Sequence, residues 1–118
     1  MKMKLSENNE QRDLFPGAIE MMILESLTRR PMHGYALAQF IRQRSEELLQ
    51  VEEGSLYPAL QRLLKAGLIR GQWEISATSR RVRTYRVTHT GIKHLEREVS
   101  RFDRMLEGVR LVLSPIGS

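Results

Sequence analysis

From Pro16 onward, Ile19, Met22, Ile23, Ser26 and Leu27 recur at three- and four-residue steps and form one apolar stripe. The stripe predicts a first helix, opened by Pro16 and Gly17 and ending near Arg30-Pro31. A second helix is expected after the Met32-His33-Gly34 corner, with Leu37, Phe40 and Ile41 inward and Gln39, Arg42, Gln43 and Arg44 outward. Its end falls somewhere between Arg44 and Gln50. In the third helix, at about 100° per residue, Leu56, Ala59, Leu60, Leu63, Leu64 and Gly67 share one arc. Ser55, Pro58, Gln61, Arg62 and Lys65 share the opposite one, with Tyr57 on the border. With Ser55 as N-cap, Pro58 becomes the third helical residue, where its missing N–H has no helical acceptor to meet. Gly67 supplies the stop.

Alternation then replaces the helical period. Leu68 to Ile75 and Val82 to Thr88 read as two strands joined by a Ser-, Ala-, Thr- and Arg-rich connection, a β-hairpin. Ile69, Trp73 and Ile75 share one face of the first strand and Tyr85 and Val87 one face of the second, which suits a ribbon lying over a helical core. Thr88 or Thr90 can cap a last helix, Gly91 to Leu113, roughly 34 Å long at 1.5 Å per residue. Along it Ile92, Leu95, Val99, Phe102, Leu106, Val109 and Leu113 are spaced 3-4-3-4-3-4, a heptad seam that Ser114-Pro115 ends. The first dozen residues are polar and aperiodic and read as a mobile arm. The expected organisation is an arm over 1–13, a winged helix-turn-helix domain over 14–90, a dimerisation helix over 91–114 and a tail over 115–118. In class this is mainly α with a β-hairpin (α+β).

Composition narrows the chemistry. The 118 residues are enough for one domain, and nineteen Lys plus Arg against fourteen Asp plus Glu give a formal charge of +5. The excess is concentrated: residues 68–90 carry five arginines and one glutamate, a net +4. A polyanion is the expected partner. The absence of Cys excludes a disulfide scaffold, a thiolate zinc site, an iron–sulfur cluster and a Cys nucleophile. His33, His89 and His94 lack metal-ligand spacing and read as surface or capping residues, so no metal and no cofactor is expected. No Gly-rich phosphate loop, paired carboxylate motif or nucleophile elbow is present, and the chain does not read as an enzyme. The apolar run Met21 to Leu24 is far short of the ~20 residues of a membrane span or the ~7–15 of a signal-peptide core. A soluble, cytoplasmic protein is expected.

A four-turn amphipathic helix fits the DNA major groove, which is ~12 Å wide. On its outer face Ser55, Tyr57 and Pro58 occupy the leading turn, Gln61 can pair with adenine, Arg62 with guanine or a phosphate, and Lys65 with a phosphate. Arg80, Arg81 and Arg83 at or beside the hairpin tip can follow the backbone or enter an adjacent minor groove. One such domain reads few base pairs, so two copies on an inverted repeat are expected, joined through the seam of the last helix.

The run Gly54-Ser55-Leu56-Tyr57-Pro58-Ala59-Leu60-Gln61-Arg62-Leu63, followed by Gly67-Leu68-Ile69, resembles the recognition-helix signature of PadR-like transcriptional regulators. His33-Gly34-Tyr35 is similar to that family's start of helix 2. Arg83-Thr84-Tyr85-Arg86-Val87-Thr88 with Gly91 resembles its second wing strand and the start of its last helix. The likeness covers roughly residues 15 to 106. It implies a dimeric repressor of the short branch with a single C-terminal helix. It also implies a response to small aromatic or amphipathic molecules, for which Phe102 is the candidate to line a pore. The chain departs from the family pattern at His89 and Thr90, where acidic residues are usual, so favourable charge at that helix N-terminus is missing. Its one Trp, Trp73, lies in the wing and not on the last helix.

Plainer roles compete with several of these. Tyr57 can cap the core beside Leu60 and Leu64 as well as contact a phosphate. The tip arginines can be a solvated loop, and Trp73 and Tyr85 a cross-strand packing pair. The alternative for the whole chain is a winged-helix protein-interaction module that does not touch DNA.

Overall fold

Ile23, Leu24, Leu37, Leu56, Leu60 and Ile69 are the large side chains fully withdrawn from solvent, and the elements that carry them follow the apolar pattern closely. The computed structural model describes residues 17–116, so the expected arm, Pro16 and the last two residues lie outside the described residues. The order is α1 (Ala18–Arg29), β1 (Met32–His33), α2 (Gly34–Arg44), α3 (Glu53–Lys65), β2 (Ile69–Ile75), β3 (Arg81–Val87) and α4 (His89–Leu113). None of these helices is long and apolar enough to cross a membrane.

α1 buries Ile23, Ser26 and Leu27 as its stripe predicts, and Leu24 in addition. The arc is wide because α1 meets α2, α3, β3 and α4, so no single flank faces water along its whole length. Pro31 cannot continue the helix, and Arg30 is fully extended (φ −171°, ψ 160°). The next two residues pair with β3, Met32 opposite Tyr85 and His33 opposite Thr84, which makes a three-stranded antiparallel sheet of order β1-β3-β2. The expected two-stranded ribbon thus has a third strand at its base. Two residues are too few for alternation to show in the sequence.

α2 begins on His33, whose Nδ1 accepts from the Ala36 amide at 3.3 Å. Its end carries no glycine or proline. The chain turns instead through Glu46 (φ 54°) and Glu47 (φ 69°), both left-handed, tied by Glu47 N–H to the Arg42 carbonyl (2.8 Å) and by Leu49 N–H to Ser45 Oγ (3.1 Å). α3 starts earlier than Ser55: Glu52 is the N-cap, and its carbonyl accepts from the Ser55 and Leu56 amides at 2.9 and 2.8 Å. Pro58 is therefore the sixth helical residue, and its ring leaves the exposed Gly54 carbonyl without its helical donor. Gly67 (φ 75°) ends the segment as expected.

β2 and β3 pair from Ile69 opposite Val87 to Ile75 opposite Arg81. Their shared face covers the core only at the base, where Ile69 and Tyr85 are buried. Trp73 (55% exposed) and Ile75 (68%) project past it, contrary to the expectation that both lie over helices. Leu68 belongs to the turn and not to the strand, donating to the Leu63 carbonyl at 3.0 Å and accepting from the Thr88 amide at 3.1 Å.

Thr88 caps α4, its Oγ1 accepting from Gly91 N–H at 3.0 Å and donating to the Gly67 carbonyl at 2.9 Å. Gly91 is the close approach of this junction, since a Cβ there would collide with the Leu68 carbonyl oxygen and lie 2.9 Å from Val87. Of the expected seam, Leu95 is buried in the chain's own core. Phe102 and Leu106 are half-buried, and Ile92, Val99, Val109 and Leu113 are exposed. At about 1.5 Å per residue α4 is close to 37 Å long, more than half the molecule's longest extent of 61 Å. Three helices followed by a ribbon that rises from the third make a winged helix-turn-helix, α+β in class, with a long helix appended.

Candidate nucleic-acid interface

α3 places its side chains as its wheel requires. Leu56, Ala59, Leu60 and Leu63 fasten it to the core, and Pro58, Gln61 and Lys65 stand exposed on the opposite ridge. The flanking positions are committed. Ser55 is half-buried, and Arg62 Nε donates to Glu20 Oε2 of α1 at 2.6 Å, a charge-assisted bond between a largely exposed guanidinium and a mostly covered carboxylate. Arg62 is therefore oriented toward α1 and not along the ridge. On the other flank Tyr57 packs over the first turn of α2: a Cβ on Gly34 would lie 2.9 Å from its hydroxyl and 3.2 Å from two ring carbons. With the ring 42% exposed, both roles expected for Tyr57 are compatible with its position.

The ribbon is closed by a short turn. Ser76 N–H donates to the Arg80 carbonyl (2.8 Å), Ser79 N–H to the Ser76 carbonyl (2.9 Å), and Arg80 N–H to Ser76 Oγ (3.2 Å). Arg80 is exposed at this tip. Arg81 and Arg83 are strand residues below it, on the same face as Trp73 and Tyr85. The Arg81 guanidinium carbon lies 4.5 Å from the Trp73 ring centre, and that of Arg83 lies 5.9 Å from Trp73 and 5.8 Å from Tyr85. Trp73 thus faces Arg83 across the strands, while Gly71 faces Tyr85, so the expected Trp73–Tyr85 pair is separated by an arginine. Gly71 makes this possible, because a Cβ there would strike Arg83 Nε. That Nε is buried and has no hydrogen-bond partner among the described residues. Burial raises the Tyr85 phenol above its ordinary pKa, with the Arg83 cation opposing the shift.

Between ribbon and helices lies a groove of about 590 Å3. His33, Tyr35, Tyr57, Trp73, Arg80, Arg81, Arg83 and Tyr85 line it, so it gathers every Tyr and the single Trp of the chain around three arginines. Among the described residues no carboxylate lines it. Cations without local counter-charge, edged by ring faces and hydroxyls, attract a polyanion carrying planar groups. Sequence reasoning passed over Tyr35, His33 and Gly71 here; the Gly-x-Trp and Arg-x-Arg-x-Tyr alternation of the paired strands was the available signal. It also gave no role to Arg70 and Arg86, exposed and directly opposite one another on the other face of the ribbon, a repulsive placement that an anion would relieve.

Away from this face, α1, α2 and α4 border an open, mainly apolar hollow of about 300 Å3 lined by Met21, Met22, Phe40, Ile41, Leu95, Val99 and Phe102, with Glu25, Arg29 and Arg44 also in its lining. Beyond it the exposed apolar side chains of α4 continue through Met105, Val109, Val112 and Leu113.

The sequence model of the transcriptional regulator PadR-like family matches residues 23–97. Among solved structures, a transcriptional regulator from Clostridium thermocellum superposes with a TM-score of 0.80 at 27% identity, covering 86% of this chain and 99% of that one. A padr family transcriptional regulator from Eggerthella lenta gives 0.75 at 26% identity, covering 92% and 93%. A PadR-like transcriptional regulator from Bacillus cereus gives 0.70 at 27%, covering 85% and 95%.

Proposed function

The chain belongs to the transcriptional regulator PadR-like family and is a DNA-binding transcription regulator, and on that footing we propose that it acts as a homodimeric repressor reading an inverted repeat. The observation that carries the reading is the arginine groove, lined by no carboxylate among the described residues, that lies beside the exposed ridge of α3. Gln61 and Pro58 approach base edges in the major groove, Lys65 and the Tyr57 hydroxyl take phosphates, and Arg80, Arg81 and Arg83 follow the adjacent backbone or minor groove. Ser55, half-buried near the start of the helix, is close to the same strand, and Arg62 joins it only by leaving Glu20.

Two copies are expected because α4 carries an apolar face longer than its own domain covers. Phe102 and Leu106, with Ile92, Val99, Val109 and Leu113, form the pairing surface, while Leu95 supports it from the core side. A small hydrophobic effector fits the hollow at Phe102, where binding would favour one spacing of the two recognition helices over another and so change DNA affinity.

Selecting bound fragments from genomic DNA, followed by titration of the selected duplex at several salt concentrations, tests this. A symmetric site and a log–log salt slope of about −5 to −9, for roughly 6–10 phosphate contacts, are expected. Gln61→Ala should change base preference, and Leu106→Asp should yield monomers in sedimentation with weaker binding. A flat salt response, or failure to retain any duplex, would sink the reading in favour of a protein-interaction module.

A further inference from the structure

Trp73 is more than half exposed on a ribbon that has already left the core, so its ring is not there to bury apolar surface. What it touches is charge: Arg81 lies over one part of the ring at 4.5 Å and Arg83 at 5.9 Å. We propose that Trp73 is a positioning residue of the DNA-binding surface, holding Arg81 and Arg83 as a fixed row along the groove between wing and recognition helix, where one phosphodiester strand of the duplex lies. The inference rests on the DNA-binding reading and adds to it the residue that organises its cations.

Three features of the ribbon support this. The first is register, which sets Arg83 directly opposite Trp73 and Arg81 one pair nearer the tip, opposite Ile75, with Tyr85 opposite Gly71. Trp73 is therefore level with Arg83 and diagonal to Arg81, within reach of both arginines that share its face. The second is the gap at Gly71, which lets the Arg83 side chain lie across β2 between the Trp73 and Tyr85 rings. The third is electrostatic. Among the described residues Arg83 Nε has no acceptor and the groove has no carboxylate, so none of these residues neutralises the row.

A free arginine on a ribbon samples many rotamers and must be ordered when it meets a phosphate. One stacked on an indole face has already lost much of that freedom, and its planar fork keeps its outer N–H groups available. The opposite face of the ribbon lacks this device: Arg70 and Arg86 confront each other with no ring between them. A duplex strand fits this groove better than a free anion does, because the row runs along the ribbon from Arg80 at the tip toward Tyr57 on α3, the interval between the two elements that would enter neighbouring DNA grooves.

The test is a thermodynamic cycle on the full chain with a labelled mixed-sequence duplex at low salt, read by fluorescence anisotropy. Trp73→Leu should weaken binding about five- to thirtyfold, as expected when two arginine side chains have to be ordered on binding. Trp73→Phe should recover part of the loss, and in the Arg81→Ala/Arg83→Ala background Trp73→Leu should have no further effect. Trp73 is also the only tryptophan, so its own emission should change when the wild-type protein meets duplex. Unchanged affinity of Trp73→Leu, or a loss that simply adds to the arginine loss, overturns the proposal while leaving DNA binding intact. A wild-type protein that ignores the duplex overturns the DNA-binding reading and this inference with it.

Discussion

Replacing Glu20 by Gln releases Arg62 while preserving the shape of α1, and the geometry fixes what should follow. The pair is held at 2.6 Å, with the Arg62 side chain 59% exposed and that of Glu20 22% exposed, so solvent screens it on one side only. Such a pair contributes about 0.5–1 kcal/mol, which for a domain of this size corresponds to a melting temperature lower by about 2–8 °C. DNA binding should move the other way. Arg62 lies on the α1-facing flank of α3, and a duplex must compete with Glu20 for it. Once released, the guanidinium is free to take a phosphate, making the log–log salt slope more negative by about 0.9 and raising affinity at low salt. Differential scanning calorimetry and anisotropy titrations on wild type, Glu20→Gln and Arg62→Ala supply both readouts. If Glu20→Gln melts earlier while its affinity and slope stay at wild-type values, and Arg62→Ala binds normally, then Arg62 is a strut between α1 and α3 and does not belong to the DNA surface.

Two further substitutions probe the scaffold. Gly91→Ala adds helix propensity to α4 but places a methyl against the Leu68 carbonyl, which is main chain and cannot swing away; the overpacking of about 1–3 kcal/mol should prevail and lower the melting temperature by at least about 4 °C, whereas an unchanged or higher value would contradict the contact. Glu47→Gly relieves a left-handed residue (φ 69°) that costs about 1–2 kcal/mol, offset by about 0.5–1 of glycine entropy and by a weak exposed pair with Arg42 at 3.5 Å. The balance is a few tenths of a kcal/mol, so a rise of about 1–4 °C in a thermal melt is expected, and a fall would show that the loop is held by something other than backbone geometry.

The helices were legible in the sequence because their burial is periodic: Leu56, Ala59, Leu60 and Leu63 lie where a period of 3.6 puts them, and all four are buried. What was not legible depends on contacts between segments. β1 has two residues, and its pairing partner is more than fifty positions away. The start of α3 is not legible because proline favours a helix's first turn, whereas here the exposed Gly54 carbonyl tolerates the lost bond farther along. Alternation grouped Trp73 and Ile75 with Ile69 correctly as one face, but alternation cannot report how far a face stays in contact with the core, and here that contact ends near Gly71. The same limit governs the candidate site. Arg80, Arg81 and Arg83 are adjacent in sequence and invite a single role, yet one is a free tip, one stacks on an indole, and one fills the gap above a glycine. Charge counting locates such a surface; the cross-strand register decides which of its cations the ribbon itself holds in place.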